Sequence, residues 1–396
     1  MIRRAGAALP ALGLAVLLAF YAPARYHVGL LDEDFVQRHP ASQWFPLGSL
    51  LEGHRRFFRD LDPGGAARSY RRALAQQATL VPAWLGLVRA EEYLGRTEEA
   101  RRMLRFLSSA LASVSSWKWE ELLLAYELKE EGAFQAAFNF ILERLPPRVP
   151  DACYTAQAFW GGWEFLADHT DAANRPVLLA ELIRSRRLDA ALDVWDRAVR
   201  DGREPDERLT FRLVDALLRD GRVGEAKTLW KRHVGHDHPL VHNGGFERAP
   251  AEAAFGWRIA PNGAVRVERT FTEAFEGRYS LHVRFTGTAN VNFHHVRQTV
   301  PVDPGGEYRL RFARKSRNLS TDKGVYLEVT GFGCSGLRAA SEPVLGTHPW
   351  EWDTVSFRVP ESCQAVEIRL RRQESLKFDS KIVGDYWLDA VSVERS

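Results

Sequence analysis

Residues 240–257, LVHNGGFERAPAEAAFGW, mark the point at which the sequence changes its pattern. Before this stretch, apolar residues recur three or four positions apart, which is the spacing of an amphipathic α-helix. After it they alternate with polar residues between Gly and Pro, as in short strands that have one buried face. The stretch therefore divides the chain into a helical part and a part built of β-strands.

The part that follows this stretch predicts a β-sandwich. Leu281, Val283 and Phe285 alternate with His282 and Arg284, so one side of that strand is apolar and the other is polar. Eight strands with long connections fit a two-sheet jelly roll. The predicted strands are 265–271, 279–285, 291–300, 308–314, 324–330, 354–359, 365–371 and 385–393.

Short motifs in residues 236–396 carry a family resemblance. The first reads Asn-Gly-Gly-Phe-Glu at 243–247 and is followed by Gly-Trp at 256–257. In this order the motifs resemble the jelly-roll carbohydrate-binding modules that are appended to xylanases and cellulases. The resemblance implies that residues 236–396 form a jelly roll that binds carbohydrate. The remaining motifs lie at 277–281, 297–300, 304–308 and 387–393.

A carbohydrate site combines flat aromatic rings, which pack on the apolar side of a sugar, with polar side chains that bond its hydroxyl groups. Trp257, Trp352 and Trp387 match positions that usually pack the sandwich, so we assign them to the core. Other aromatic residues fall outside the core alternation and have polar residues near them. The predicted carbohydrate contacts are Phe293, His295, Arg297, Tyr326, Phe332 and Trp350.

Arginines on the polar side of the predicted strands indicate whether the bound polysaccharide is acidic or neutral. A guanidinium group binds a carboxylate through two parallel hydrogen bonds, so outward arginines favour an acidic polysaccharide. Acidic neighbours on adjacent strands would instead neutralise them, and the sequence leaves both possibilities open. The arginines concerned are Arg284, Arg297, Arg309, Arg311, Arg369 and Arg371.

The family resemblance also implies a structural calcium ion between the first and last strands of the sandwich. Calcium takes oxygen ligands, and Glu247 and Asp389 match the family positions that supply them. Ala390 stands where relatives commonly have a second aspartate. We predict no other cofactor.

A recurring alanine indicates helical repeats between residues 50 and 235. Four positions after each alanine stands a large apolar residue, and a turn with Gly or polar residues precedes most copies. The small residue lets two helices approach closely, and the bulky one fills the groove between repeats. The pairs are Ala66 and Tyr70, Ala100 and Leu104, Ala137 and Ile141, Ala191 and Trp195, and Ala226 and Trp230.

One copy is the most regular and identifies a second resemblance. Trp84 and Leu87, followed by Gly95 and Ala100, resemble a tetratricopeptide repeat, and the other copies are more degenerate. This resemblance implies a helical solenoid over residues 50–235. Such a solenoid either binds a partner protein of the cell envelope in its groove or spaces the sandwich from the membrane, and both remain open.

The N-terminus predicts export from the cytoplasm. Arg3 and Arg4 precede an uncharged apolar segment at residues 5–24, and positive charge stays on the cytoplasmic side. The segment is either a signal anchor or a signal peptide cleaved after Ala24, and we favour the anchor. Residues 25–49 then form a juxtamembrane lead-in. The expected location is a single-pass protein of the bacterial inner membrane with most of the chain in the periplasm or beyond.

Composition narrows the partners further. The 396 residues include 54 Lys and Arg and 51 Asp and Glu, so the formal net charge is +3, which gives no strong field for nucleic acid. The three cysteines have no metal-site spacing. Cys334 and Cys363 lie in the same predicted sandwich and pair if the compartment is oxidising, whereas buried thiols are the alternative.

The sequence carries no nucleophile elbow, phosphate loop or zinc-protease motif, and repeats plus a sandwich leave no third domain for an enzyme. We therefore predict a non-enzymatic scaffold, tethered to the membrane, with repeats for a protein partner and a sandwich for polysaccharide. The order of anchor, repeats and module is similar to proteins that accompany exopolysaccharide synthesis or export. Two alternatives are a purely protein-binding envelope assembly factor and a polysaccharide-modifying hydrolase.

Overall fold

The computed structural model describes residues 20–234, 239–378 and 380–396. The chain folds as two compact units. One unit ends at Glu181 and takes in Asp196–Ala198, and the other consists of Leu182–Trp195 and Val199–Ser396. The last helix ends at Val234 and the first strand begins at Arg258. Helices and strands therefore occupy the successive parts of the chain in which they were predicted.

The helical part consists of short helices. After a helical segment at residues 20–29, they are α1 (Glu33–Arg38), α2 (Pro46–Phe58), α3 (Pro63–Gln76), α4 (Val81–Tyr93), α5 (Thr97–Ala110), α6 (Lys118–Leu128), α7 (Glu131–Arg144), α8 (Val149–Trp160), α9 (Arg175–Arg184), α10 (Leu188–Arg200), α11 (Glu207–Arg219) and α12 (Val223–Val234). Short 3-10 helices lie at Pro40–Trp44, Ser115–Trp117, Pro146–Arg148 and Trp163–Phe165.

Most of the predicted membrane segment at residues 5–24 lies outside the described residues. In the described part of the chain, no helix is long and apolar enough to cross a bilayer. Both the anchor and the cleaved signal peptide stay predictions.

Aspartate and proline residues fix where several helices begin. Asp62 precedes α3 and its side chain accepts the backbone N–H of Gly65 at 2.8 Å, while Pro63 occupies the first turn. Asp206 precedes α11 and accepts the N–H of Leu209 at 2.7 Å. A capping carboxylate satisfies an N–H that has no partner within the helix, and proline has no N–H to satisfy.

The recurring alanines are all buried, as are the large residues that follow them. Tyr70 on α3 shows why small residues are needed around such a side chain. A Cβ atom added at Gly53 on α2 would lie 2.5 Å from the Tyr70 ring, and one at Gly86 on α4 would lie 2.6 Å from it. The predicted close packing of helices is therefore present. Assignment to the tetratricopeptide class is not confirmed.

The C-terminal part is a two-sheet β-sandwich, as predicted. One sheet has the strand order β1-β4-β9-β6-β7 and the other β2-β3-β10-β5-β8. The strands are β1 (Arg258–Ile259), β2 (Val265–Thr270), β3 (Ser280–Thr286), β4 (Phe293–Pro301), β5 (Glu307–Leu319), β6 (Tyr326–Gly331), β7 (Arg338–Ala340), β8 (Gly346–Arg358), β9 (Ala365–Arg372) and β10 (Val383–Arg395).

Alternation along the strands builds the core between the two sheets. Leu281, Val283 and Phe285 are buried from one sheet, and Ile368 and Leu370 from the other. The paired strands run antiparallel, with Val283 opposite Tyr386 in the β3–β10 register. Strands β1 and β7 were not predicted, because two or three residues are too short to show alternation.

A disulfide links Cys334, in the β6–β7 connection, to Cys363, just before β9. Their Cα atoms are 5.5 Å apart and 29 residues apart in sequence. The pairing that the sequence left open is thus present in the structure. Cys153 is buried in the helical part.

The hairpin of α11 and α12 belongs to the same compact unit as the sandwich. Asp215 on α11 accepts the backbone N–H of Ala254 at 2.7 Å and forms an ion pair with Arg258 on β1. On α12, the Trp230 ring lies 5.7 Å from the ring of Phe255, which is fully buried. Because polar and apolar contacts both join them, the hairpin and the sandwich pack as one body.

Candidate functional site

The predicted carbohydrate contacts fall on different parts of the sandwich. His295, Arg297, Tyr326 and Phe332 belong to the β1-β4-β9-β6-β7 sheet or its connections, whereas Trp350 lies on β8 of the other sheet. Phe293 also lies on this sheet, as the first residue of β4, so the structure brings five of the six residues to one sheet and separates Trp350 from them.

Phe293 packs the core, in contrast to its prediction as a carbohydrate contact. Its side chain is fully buried, and its ring lies 5.7 Å from that of Phe285 in an edge-on contact. The register of β4 shifts between Phe293 and Val296, so Phe293 faces inward on the same side as Val296 although three positions separate them. A β-bulge of this kind reverses the alternation that the sequence suggested.

His295 and Tyr326 offer little surface. Tyr326 is 7% exposed. His295 is partly buried, its Nε2 atom lies 3.3 Å from Nδ2 of Asn262, and burial lowers the pKa of its imidazole. Phe332 and Arg297 line a pocket of about 180 Å³, which is small beside the roughly 300–1,000 Å³ of typical ligand sites.

The outer side of this sheet forms what we call the arginine face: Arg297, Arg338, Arg369 and Arg371 with Glu328 and Glu367. Each arginine has an acidic partner. Glu328 accepts Nε of Arg338 at 2.9 Å and lies 3.3 Å from Nε of Arg371. Glu367 accepts Nε of Arg369 at 2.5 Å and lies 3.7 Å from Nη1 of Arg297. Each arginine of this face therefore contacts a carboxylate, and each of the two glutamates is shared by two guanidinium groups.

A second surface, on the other sheet, is a groove of about 660 Å³ that we call the Trp352 groove. Its lining comes from residues 239–248, from the connection between β2 and β3, and from β5, β8 and β10. They include Asn243, Glu247, Arg248, Glu276, Arg311, Trp352 and Ser392. The groove lies in the size range of ligand sites and combines an aromatic ring with charged and hydroxyl groups.

Trp352 lies on the outer side of β8 and is 38% exposed, not in the core where its sequence position suggested. The guanidinium carbon of Arg311 lies 3.7 Å from the Trp352 ring centroid, and Phe275 meets the indole edge-on at 4.8 Å. Val355 and Phe357 on the same strand are buried. Side chains alternate between the two faces of a strand, so Trp352 points to the side opposite Val355 and Phe357, which is the outer side of the sheet. The alternation of side chains thus indicated an outward Trp352, whereas the motif resemblance led us to assign it to the core.

Trp387 shows the opposite environment on the same sheet. It is 3% exposed, and His282 stacks on it with ring centroids 4.7 Å apart. Beside it, burial alone would raise the pKa of Asp385, but hydrogen bonds from Arg284, Arg317 and His282 outweigh burial and lower that pKa to about 2. Trp387 is therefore buried, but on the outer side of the sheet against His282, Lys315 and Arg317 and not in the core between the sheets, whereas Trp352 is exposed to solvent.

Two arginines line the groove, Arg248 and Arg311, and we call them the groove arginines. Within residues 20–234, 239–378 and 380–396, neither guanidinium forms an ion pair with a carboxylate. The backbone of Arg248 is held by Asn243, which accepts its N–H at 3.0 Å and donates to its carbonyl at 2.8 Å. The two groups therefore carry positive charge that no contacting acid offsets.

The Asn-Gly-Gly-Phe-Glu stretch that marks the change of fold forms part of the groove lining. Asn243 and Phe246 adopt positive φ angles of 55°, and Val391 on β10 donates its N–H to the Gly244 carbonyl at 3.0 Å. A Cβ atom at Gly244 would lie 1.9 Å from the Val391 carbonyl oxygen. Only glycine allows this approach, so residue 244 ties the segment to the last strand.

Glu247 and Asp389, the predicted calcium ligands, lie on either side of Gly245: a Cβ atom there would be 3.9 Å from Glu247 Cγ and 3.8 Å from Asp389 Oδ1. Glu247 accepts the N–H groups of Arg278 and Tyr279 at 2.7 and 3.0 Å. Burial raises the pKa of Asp389, and the charge of Glu247 adds to this effect. Asp389 also accepts the backbone N–H groups of Phe275 and Glu276. The described residues contain no group of three or more His, Cys, Asp or Glu side chains that could hold a metal ion, so the calcium site stays a prediction.

No protein-family model and no curated protein matches the sequence. Solved structures similar to the chain include CBM4 (16% identity, 39% of this chain and 99% of that chain, TM-score 0.30). Another is the CBM22-1 xylan-binding domain of Xyn10C from Paenibacillus barcinonensis (15%, 38% and 90%, 0.26). A third is an apo cyclase from Fischerella sp. (20%, 39% and 94%, 0.27). Each similarity covers about two-fifths of the chain.

Proposed function

We propose that the C-terminal sandwich binds polysaccharide and that the Trp352 groove is its binding site. The observation that carries this proposal is the combination of a 38% exposed indole with two arginines in a groove of about 660 Å³. The indole offers an apolar surface for a sugar ring, and the guanidinium groups donate to its oxygens. The motif resemblance to jelly-roll carbohydrate-binding modules supports the same role.

The whole chain then acts as a non-enzymatic envelope scaffold in exopolysaccharide synthesis or export. Three features support this part of the proposal: the apolar segment 5–24, which would hold the chain at the inner membrane; the Cys334–Cys363 disulfide, a type of bond that persists in oxidising compartments; and the buried alanines of a helical part suited to a protein partner. Calcium, held by Glu247 and Asp389, would join the groove segment to β10 without taking part in chemistry.

The test is polysaccharide binding by the full-length protein, measured by affinity electrophoresis in gels that contain a neutral or an acidic polymer. Trp352→Ala should weaken binding by about 1–3 kcal/mol, by analogy with the loss of an aromatic ring that stacks on a nucleic-acid base. Phe332→Ala is the matched control, because it removes an aromatic ring from the small pocket beside Arg297 of the arginine face.

Retained binding by Trp352→Ala together with loss in Phe332→Ala would move the site to the arginine face. If the folded wild-type protein is retarded by no polymer, polysaccharide binding is wrong. The purely protein-binding assembly factor then becomes the function to test, by cross-linking in cells.

A further inference from the structure

We propose that the Trp352 groove selects sugar units that carry a carboxylate, so that its ligand is a polyuronate-type polysaccharide and not a neutral one. This inference rests on the proposed function and names the chemical class of its ligand. It comes from the contacts of the two groove arginines and of the paired arginines on the same sandwich, which the sequence could not show.

Several outward arginines elsewhere on the sandwich already have carboxylate partners, although Arg309 has no ion pair in the described part of the chain. On the arginine face, Glu328 and Glu367 each contact two guanidinium groups. On the other sheet, Asp385 contacts Arg284 at 2.8 Å and Arg317 at 2.9 Å. A ligand carboxylate at these places would have to displace a partner that the fold holds in position. The paired arginines are therefore poor anion sites.

The groove arginines differ because no such displacement is needed. Arg311 stacks on the Trp352 ring at 3.7 Å, which fixes the plane of the guanidinium while its N–H groups remain at the rim of that plane. Neighbouring strands hold its backbone, since Arg311 faces Thr354 on β8 and Ser392 on β10. A guanidinium that is already oriented loses less conformational freedom when a carboxylate binds to it.

Two acidic side chains also line the groove, and neither cancels the groove arginines by contact. Glu247 is turned to the backbone N–H groups of Arg278 and Tyr279, which lower the pKa of its carboxyl group. Glu276 is exposed, and its backbone N–H donates to Asp389. In the described part of the chain, neither carboxylate pairs with Arg248 or Arg311. The groove thus has separate places for an anionic group and for the hydroxyl groups of a sugar.

A planar carboxylate matches the guanidinium fork through two parallel hydrogen bonds, and a uronic acid bears this group on the ring that would pack against Trp352. The indole would contact the sugar ring, and the nearby guanidinium would bind its carboxylate. A neutral sugar would use the indole and leave the positive charge of the groove arginines uncompensated.

The experiment compares three polymers on the full-length protein: polygalacturonic acid, the same polymer with its carboxyl groups reduced to alcohols, and dextran sulfate. The variants are Arg248→Gln and Arg311→Gln, with Arg338→Gln as the matched control, because Arg338 is 65% exposed but paired with Glu328. Circular dichroism and melting temperature establish that each variant is folded.

Wild type should bind polygalacturonic acid and lose affinity as salt is added, because exposed charge contacts are screened. Each groove variant should lose about tenfold or more of that affinity, the usual effect of removing a hydrogen bond to a charged group. Binding of the reduced polymer should change little in the groove variants, and Arg338→Gln should match wild type. Arg311→Lys, which keeps the charge but not the fork, should fall between.

The failures are distinguishable. Equal affinity for polygalacturonic acid and its reduced form overturns the carboxylate inference and leaves polysaccharide binding intact. Groove-dependent binding of dextran sulfate without binding of polygalacturonic acid also overturns it, in favour of sulfated sugars. Binding of none of the polymers by folded protein overturns the proposed function itself.

Discussion

The arginine face and the Trp352 groove lie on the same sandwich and use the same cation, yet they offer a ligand different chemistry. On the arginine face, Glu328 and Glu367 each hold two guanidinium groups. In the groove, Arg311 rests on an aromatic ring instead of a carboxylate. The comparison teaches that the number of outward arginines says little about anion binding. What each guanidinium already contacts decides it.

Breaking the Cys334–Cys363 disulfide should have the largest effect on stability. It also tests whether binding at the Trp352 groove is independent of the arginine-face end of the sandwich. The bond closes a loop across a sequence separation of 29, ending beside Phe332 and β9. Replacing both cysteines by Ser should lower the free energy of unfolding by about 3–4 kcal/mol, from the lost loop constraint. Urea unfolding measures this change. Polysaccharide affinity below the transition should stay at the wild-type value, and its loss would show that the groove depends on the arginine-face end of the sandwich.

Calcium should act on the groove side of the sandwich. At a free concentration about a hundred times its dissociation constant, an ion bound only to the folded state adds about 2.7 kcal/mol to the free energy of unfolding. Melting temperature should therefore fall when a chelator is added and recover with excess calcium. Asp389→Asn removes a ligand, so this variant should melt at the same temperature with and without chelator. If the melting temperature of the wild-type protein does not change with chelator, the calcium prediction is wrong.

Glu328→Gln should have the smallest effect and tests the comparison most directly. It removes the carboxylate from Arg338 and Arg371, although Arg371 keeps a hydrogen bond to Asn292 at 2.9 Å. We expect a loss of about 1 kcal/mol in the free energy of unfolding, because Arg338 is largely exposed. Affinity for polygalacturonic acid should rise about twofold to fivefold, as two guanidinium groups become available. Unchanged affinity, measured by affinity electrophoresis, would mean that pairing does not limit anion binding on this face.

Much of the fold follows from local sequence patterns. Alternation identified the eight longer strands of the sandwich, and recurring alanines identified buried helix positions. The binding surfaces were less accessible to such reasoning. The β4 bulge placed Phe293 in the core, and strand pairing brought Glu328 to Arg338 and Arg371 from two different neighbours. Register and bulges arise from tertiary packing, so sequence spacing alone does not reveal them.

Trp352 is the exception, because its position could have been read correctly. Val355 and Phe357 are apolar and alternate with Thr354 and Ser356. Continued toward the start of the strand, the same alternation places Trp352 and Trp350 on the outer face. The motif resemblance favoured a packing role for Trp352, but the structure places its side chain on the outer face, as the alternation predicts. Strand parity was the better guide at this position because it is a geometric property of this chain.

The contact of Asp215 with Ala254 and Arg258 decides where the chain can be cut without removing a partner from the sandwich. A fragment cut from this chain at residue 236 would leave the Ala254 N–H without its acceptor and expose the ring of Phe255, which Trp230 contacts. The smallest piece that keeps these contacts begins at α11. A fragment that keeps the sandwich intact therefore includes the helical hairpin of α11 and α12.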